Sequence, residues 1–294
     1  MKKILFQGCA TAIATPFDEN GVNFAEFKKL IEFQIEEGID GIVVCGTTGE
    51  SSTMSTKEKQ EAIKFCVDTV AKRVPVIAGT GSNNTASSIE LSKYAESVGA
   101  DGLLLVTPYY NKTTQEGLVA HFNAIANSVS IPVVLYNVPS RTSINIEPKT
   151  CVQLAKTPNI VAIKEASSNI TQIAKIAELC GEELTLYSGN DDQIVPILSL
   201  GGIGVISVLS NIMPKETHNM VEYYLSGNVK EATKLQLDTL SLTNALFSEV
   251  NPIPVKAALN MMGYAVGTPR LPLIEMTNST KENLRKEMEK HGLV

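Results

Sequence analysis

Lys164 ends an apolar run, Asn159-Ile-Val-Ala-Ile-Lys-Glu-Ala-Ser167, where a lysine is chemically out of place. Continuous Val/Ile runs of this kind belong to strands covered on both faces. Alternation directs Val161 and Ile163 to one face, and Ala162 and Lys164 to the other. An ammonium so placed must be paired, reach a polar cavity, or lose its proton. The free amine is a nucleophile that can condense with a ketone. The iminium so formed draws electrons, acidifies the neighbouring carbon and yields an enamine, with no metal or organic cofactor. Pairing with an acid such as Glu165 is the ordinary alternative.

Other polar clusters also follow apolar runs. They are Gly46-Thr-Thr-Gly-Glu-Ser51, Thr107-Pro-Tyr-Tyr-Asn111, Tyr136-Asn-Val-Pro-Ser-Arg-Thr142 and Ser188-Gly-Asn-Asp191. Tyr136 is either a core aromatic or, if Val134 and Tyr136 face inward, a proton relay for carbinolamine formation and dehydration. Arg141 has the planar fork that suits a substrate carboxylate, although most loop arginines only face solvent. Thr47 and Thr48 lie between glycines, where amides and hydroxyls can face a ligand or serve turn chemistry alone. Tyr109 and Tyr110 follow a proline, and paired loop tyrosines often belong to a subunit interface.

The elements that must position these groups recur regularly. Apolar runs begin at Gly8, Gly41, Pro75, Gly102, Pro132, Ile160, Leu184 and Ile203. Between most of them the apolar residues take a helical period, as in Phe24, Phe27, Leu30 and Ile31, with Asn23 as N-cap. Further helices are predicted from Lys57 to Lys72, Ser87 to Val98, Gln115 to Asn127, Pro148 to Lys156 and Asn169 to Leu179. Eight strands alternating with helices predict an α/β fold, a (β/α)8 TIM barrel, whose active site gathers at the carboxyl ends of the strands. An open doubly wound sheet is the runner-up, but no Gly-x-Gly-x-x-Gly follows the first strand. Beyond about residue 225 the pattern turns helical: Asn228 to Ser248, Pro254 to Met262 and Ser279 to His291. A catalytic barrel over 1–225 and a packed helical domain over 226–294 are expected.

Composition narrows the class. The 294 residues are 44% hydrophobic and 19% charged, enough for a sizeable core, and the net charge of −6 argues against nucleic acid or an anionic membrane as main partner. Five scattered cysteines without a Cys-x-x-Cys suggest a reducing cytoplasm, with Cys9 and Cys45, in apolar strand-like runs, expected as small core residues. The three histidines, His121, His218 and His291, lack ligand spacing, so no metal is expected. No apolar run approaches a membrane span or a signal-peptide core.

Taken together, these motifs resemble the 4-hydroxy-tetrahydrodipicolinate (dihydrodipicolinate) synthase family, class I aldolases of the N-acetylneuraminate lyase superfamily. The resemblance runs from Gly8 and Thr15-Pro16 to Asn251-Pro-Ile-Pro-Val-Lys256 and Leu271-Pro272. It implies condensation of pyruvate with L-aspartate 4-semialdehyde, the step that opens lysine and diaminopimelate synthesis, with no cofactor. Lys164 matches the Schiff-base lysine. Tyr136, Thr47 and Tyr110 match a proton-relay triad, with Tyr110 crossing a dimer interface. Thr48 matches a pyruvate-carboxylate contact, Arg141 the semialdehyde's carboxylate contact, and Gly189 and Ile206 main-chain contacts. A homotetramer, built as a dimer of dimers, is the family's usual assembly. Sister aldolases acting on sugar acids share the lysine and tyrosine but generally lack the arginine. A barrel that binds without catalysing is a third possibility, set against the retained lysine, tyrosines and threonine.

The resemblance also implies a departure in regulation. Feedback-inhibited members bind lysine through a site matched here by Ser51, Asn83 and Tyr109. Lys59 stands where they have a histidine, and Ser87 where they have an acid. A cationic ligand would meet repulsion in place of an ion pair, so inhibition by lysine is expected to be weak or absent.

Overall fold

The computed structural model describes residues 2–294. Its centre is a closed barrel of eight parallel strands. These are β1 (Gly8–Ala12), β2 (Gly41–Val44), β3 (Val76–Gly79), β4 (Gly102–Val106), β5 (Val133–Asn137), β6 (Ile160–Glu165), β7 (Thr185–Ser188) and β8 (Gly204–Ser207). Each pairs with its sequence neighbours, and β1 closes the ring by pairing with both β2 and β8. The open-sheet alternative is thereby removed. A short hairpin, Phe17–Asp18 with Gly21–Val22, follows β1 and was not expected.

Helices cover the outside: α1 (Phe24–Glu36), α2 (Thr56–Val70), α3 (Thr85–Ser97), α4 (Gln115–Ala126), α5 (Pro139–Thr142), α6 (Pro148–Leu154), α7 (Ile170–Cys180), α8 (Ile194–Leu198) and α9 (Pro214–Leu225). Side-chain caps start α1, α2, α3, α4 and α7. Asn23 accepts from the Glu26 amide at 3.0 Å, and Ser55 forms a reciprocal capping box with Glu58. Outward strand residues such as Ile42, Leu103 and Ile163 join the helices in the larger apolar core. Inward residues, including Ala10, Val43, Ile77, Val134 and Ile206, fill the barrel itself. Phe6 and Tyr187 belong to this inner cluster, and their rings stack 4.3 Å apart.

Two local expectations need correcting. Val161 packs with the inner cluster instead of sharing a face with Ile163, because a bulge lets Val133 pair Ile160 while Val134 pairs Ala162. The extra residue resets the alternation before Lys164. The stretch from Asn228 to Ser248 is two helices, α10 (Val229–Asp238) and α11 (Leu240–Leu246), broken at Thr239. The Thr239 hydroxyl donates to the Leu235 carbonyl at 2.8 Å, the back-bonding that bends helices.

The remaining helices are α12 (Ile253–Met261) and α13 (Asn278–Lys290). α10 packs on α9, and α13 packs on α11 and α12. All five cysteines are buried free thiols. Among the described residues no helix is long and apolar enough to cross a membrane.

Candidate active site

Lys164 and Tyr136 are register partners on adjacent strands, so both side chains enter the barrel mouth. Lys164 is only 5% exposed, and its Nζ lies 4.5 Å from the centroid of the Tyr136 ring. Among the described residues no carboxylate lies within ion-pair distance of it. Glu165 points the other way, behind the strands. Its carboxylate accepts from the Asn137 amide at 3.1 Å and from the Ser167 main chain at 2.8 Å. Asn137 also donates to Asn145 at 2.9 Å, and Asn145 donates to Gln172 on α7 at 2.7 Å. Burial pushes the Glu165 carboxyl up, against these hydrogen bonds. The residue after each inward-facing site residue is thus fastened outward, which fixes the strand ends.

A cavity of about 160 Å³ opens above the lysine, lined by Thr47, Thr48, Tyr136, Arg141, Lys164 and Gly189 among others. Gly189 is required there. A Cβ on it would stand 2.7 Å from the Ala166 Cβ and 3.0 Å from the Lys164 Cε. Asp191 is buried nearby, and its Oδ2 accepts from the Val208 and Leu209 amides at 3.0 and 2.9 Å. Burial pushes its carboxyl up; hydrogen bonds from Ser207, Leu209 and Val208, and the charge of Lys164, oppose that shift.

The loop after β2 carries Thr47 and Thr48. Glu50 holds it in shape from the left-handed region (φ 55°), its amide donating to the Thr47 carbonyl at 3.0 Å. The Glu50 carboxylate pairs with fully buried Lys256 at 2.7 Å and accepts from the Arg270 amide at 2.8 Å. Behind Thr47 and Tyr136 a smaller cavity of about 40 Å³ reaches Ser51 and Gly81. Arg141 stands exposed at the mouth on the single helical turn α5, where Pro139 occupies the first turn. Its Nη2 donates to the Asn251 carbonyl at 3.4 Å.

Two expected residues are not among those that line this cavity. Ile206 is fully buried inside the barrel on β8, and Val208, two residues on, lines the cavity instead. Tyr110 points outward, 92% exposed, with φ 69°. Of the regulatory positions, Lys59 is half-buried on α2 and Ser87 is exposed in the first turn of α3, its amide capped by Asn84. Asn251 and Phe247 line the cavity but were not singled out as site residues. They come from the C-terminal helical part, and the only sequence signal was Asn251 within the Asn-Pro-Ile-Pro motif.

A model of the dihydrodipicolinate synthetase family matches residues 5–291. The chain is 60% identical over 291 residues to the 4-hydroxy-tetrahydrodipicolinate synthase of Clostridium tetani, covering 99% of each chain. It is likewise 60% identical over 294 residues to that of Acetivibrio thermocellus, covering 100% of each. The structure is also similar to the chloride-inhibited dihydrodipicolinate synthase of Acinetobacter baumannii complexed with pyruvate. That likeness has a TM-score of 0.95 at 42% identity and covers 98% of this chain and 99% of the other.

Proposed function

The chain belongs to the dihydrodipicolinate synthetase family of enzymes, and on that premise we propose that it condenses pyruvate with L-aspartate 4-semialdehyde through a Schiff base on Lys164. The product is 4-hydroxy-tetrahydrodipicolinate, which opens lysine and diaminopimelate synthesis. The observation that carries this reading is a buried lysine, without an ion-pair partner among the described residues, against a tyrosine ring in a cavity that also holds two threonines and an arginine.

In the proposed sequence the Lys164 amine adds to the pyruvate ketone. The carbinolamine loses water, and Tyr136, with Thr47 behind it, carries the protons. Loss of a methyl proton gives the enamine, whose carbon attacks the aldehyde. The semialdehyde's own amine then displaces Lys164 and closes the ring. Thr48 receives the pyruvate carboxylate, with Gly189 and Ile206 lending main-chain contacts. Arg141 receives the second carboxylate at the mouth. Tyr110 completes the relay from a partner subunit in a homotetramer built as a dimer of dimers, a reading supported by its exposed, outward ring. Lys59 and Ser87 leave the regulatory position without a carboxylate for lysine's amine, so micromolar lysine should not inhibit.

Borohydride added with pyruvate should inactivate the enzyme and leave a reduced pyruvyl adduct on Lys164, seen by mass spectrometry. The Lys164→Ala variant should be neither labelled nor active, its rate lower by about three orders of magnitude or more. Turnover with N-acetylmannosamine in place of the semialdehyde would overturn the substrate assignment, and absence of trapping would overturn the Schiff base.

A further inference from the structure

We propose that Asn251 is a positioning residue that sets the direction of the Thr48 hydroxyl, and so tunes pyruvate binding; this rests on the pyruvate reading of the site. Asn251 comes from the C-terminal helical part, 203 residues from Thr48, and is 5% exposed. Its Nδ2 donates to Thr48 Oγ1 at 3.0 Å. An amide NH2 can only donate, so it occupies a lone pair of the hydroxyl and leaves the hydroxyl proton free. Thr48 is itself buried, and among the described residues its hydroxyl donates to no protein acceptor. The proton is therefore available to the cavity that both residues line, where a carboxylate would accept it.

A second observation sets Asn251 apart from a packing residue. Among the described residues its Oδ1 is buried with no hydrogen-bond partner. An unpaired buried acceptor is costly, and such groups are few in native proteins. The side chain keeps this cost while meeting Thr48 with its donor end. Its main-chain carbonyl meets Arg141. One residue thus addresses both carboxylate-binding side chains, by the side chain on the pyruvate arm and by the backbone on the semialdehyde arm.

This division gives a test that a merely structural role would not pass. The half-saturating pyruvate concentration for borohydride trapping reads the first arm without the second substrate. For Asn251→Ala it should rise about fivefold to tenfold, the loss of one neutral hydrogen bond. KM for the semialdehyde should stay within about twofold, because the carbonyl to Arg141 remains. The isosteric Asn251→Asp keeps the volume if Asn251→Ala folds poorly. Its acceptor-only carboxylate would reclaim the Thr48 proton and repel pyruvate, so a rise of about a hundredfold is expected. The double variant Asn251→Ala/Thr48→Val should be no worse than Thr48→Val alone. Unchanged pyruvate saturation in Asn251→Ala and Asn251→Asp, or additive effects in the double variant, would overturn the assignment. Failure of wild-type trapping would instead overturn the Schiff-base reading itself, and this inference with it.

Discussion

Gly189 sets the room available to the Lys164 amine. Even a methyl group there would press on the Lys164 Cε at 3.0 Å and on Ala166 at 2.7 Å. Overpacking of this kind costs about 1–3 kcal/mol and is relieved by moving whichever side chain is free to move. The lysine can swing away from its contact, but Ala166 has no torsion to adjust, so the 2.7 Å contact yields only if the strand ends shift, and these carry the lysine with them. Gly189→Ala should therefore slow borohydride trapping at saturating pyruvate by about tenfold or more while leaving the folded state intact by circular dichroism. Unaltered trapping would mean the cavity yields elsewhere. At this scale Lys164 and Tyr136 were legible because strand alternation is local: a residue's face follows from its immediate neighbours. Asn251 was not legible as a site residue, since nothing near it in sequence indicates contact with Thr48, 203 positions away.

Among elements, the Thr47–Thr48 loop is held by α12. Lys256 is fully buried, and its Nζ reaches Glu50 at 2.7 Å, the Thr268 carbonyl at 3.2 Å and the Phe17 ring centroid at 4.7 Å. Burial pulls its pKa down, and the Glu50 carboxylate opposes that shift. Removing one partner of such a pair strands the other charge, at a cost of about 3–5 kcal/mol. Lys256→Met should therefore lower the free energy of urea unfolding by about that much and weaken pyruvate binding through the loop. The double variant Glu50→Gln/Lys256→Met should recover most of the stability, since no bare charge remains. A single variant within about 1 kcal/mol of wild type would show that the pair is not a tie. The strands themselves were readable from apolar runs bounded by polar clusters, and the helices from their period and caps. What escaped were departures from period: the bulge that turns Val161 inward and the Thr239 back-bond that splits one helix into two. Both depend on hydrogen bonding that residue type alone does not determine.

Over the whole molecule, closure is what brings distant residues together, and His218 marks one seam. On α9, its Nδ1 lies 2.7 Å from Asp40 Oδ2, and the same oxygen accepts from the Cys9 amide, joining the last helix of the barrel to its first two strands. Hydrogen bonding to Asp40 raises the His218 pKa above 6.5; burial opposes this, and the charges of Asp40 and Glu222 add to it. The charged pair is therefore at full strength below about pH 6.5 and fades as pH climbs through the raised folded value. Both groups are partly exposed, so about 1 kcal/mol is expected, or about 2 °C in a chain of this size. The melting-temperature gap between wild type and His218→Ala should shrink by that amount from pH 5.5 to 8.5, and a constant gap would rule out the linkage. The eightfold repeat made the barrel legible, but it does not say which surface meets a second chain; that expectation rests on the loop tyrosines and the family resemblance alone. Tyr110 carries that question, being 92% exposed in a left-handed conformation that few bulky residues adopt. If it serves a neighbour's cavity, two defective subunits can repair each other. A Lys164→Ala subunit retains Tyr110, and a Tyr110→Phe subunit retains Lys164. A mixed pair would then contain one complete site, so equal mixing and random reassociation should restore about a quarter of wild-type activity. Verified subunit exchange without recovery would place the action of Tyr110 within its own chain or outside the reaction altogether.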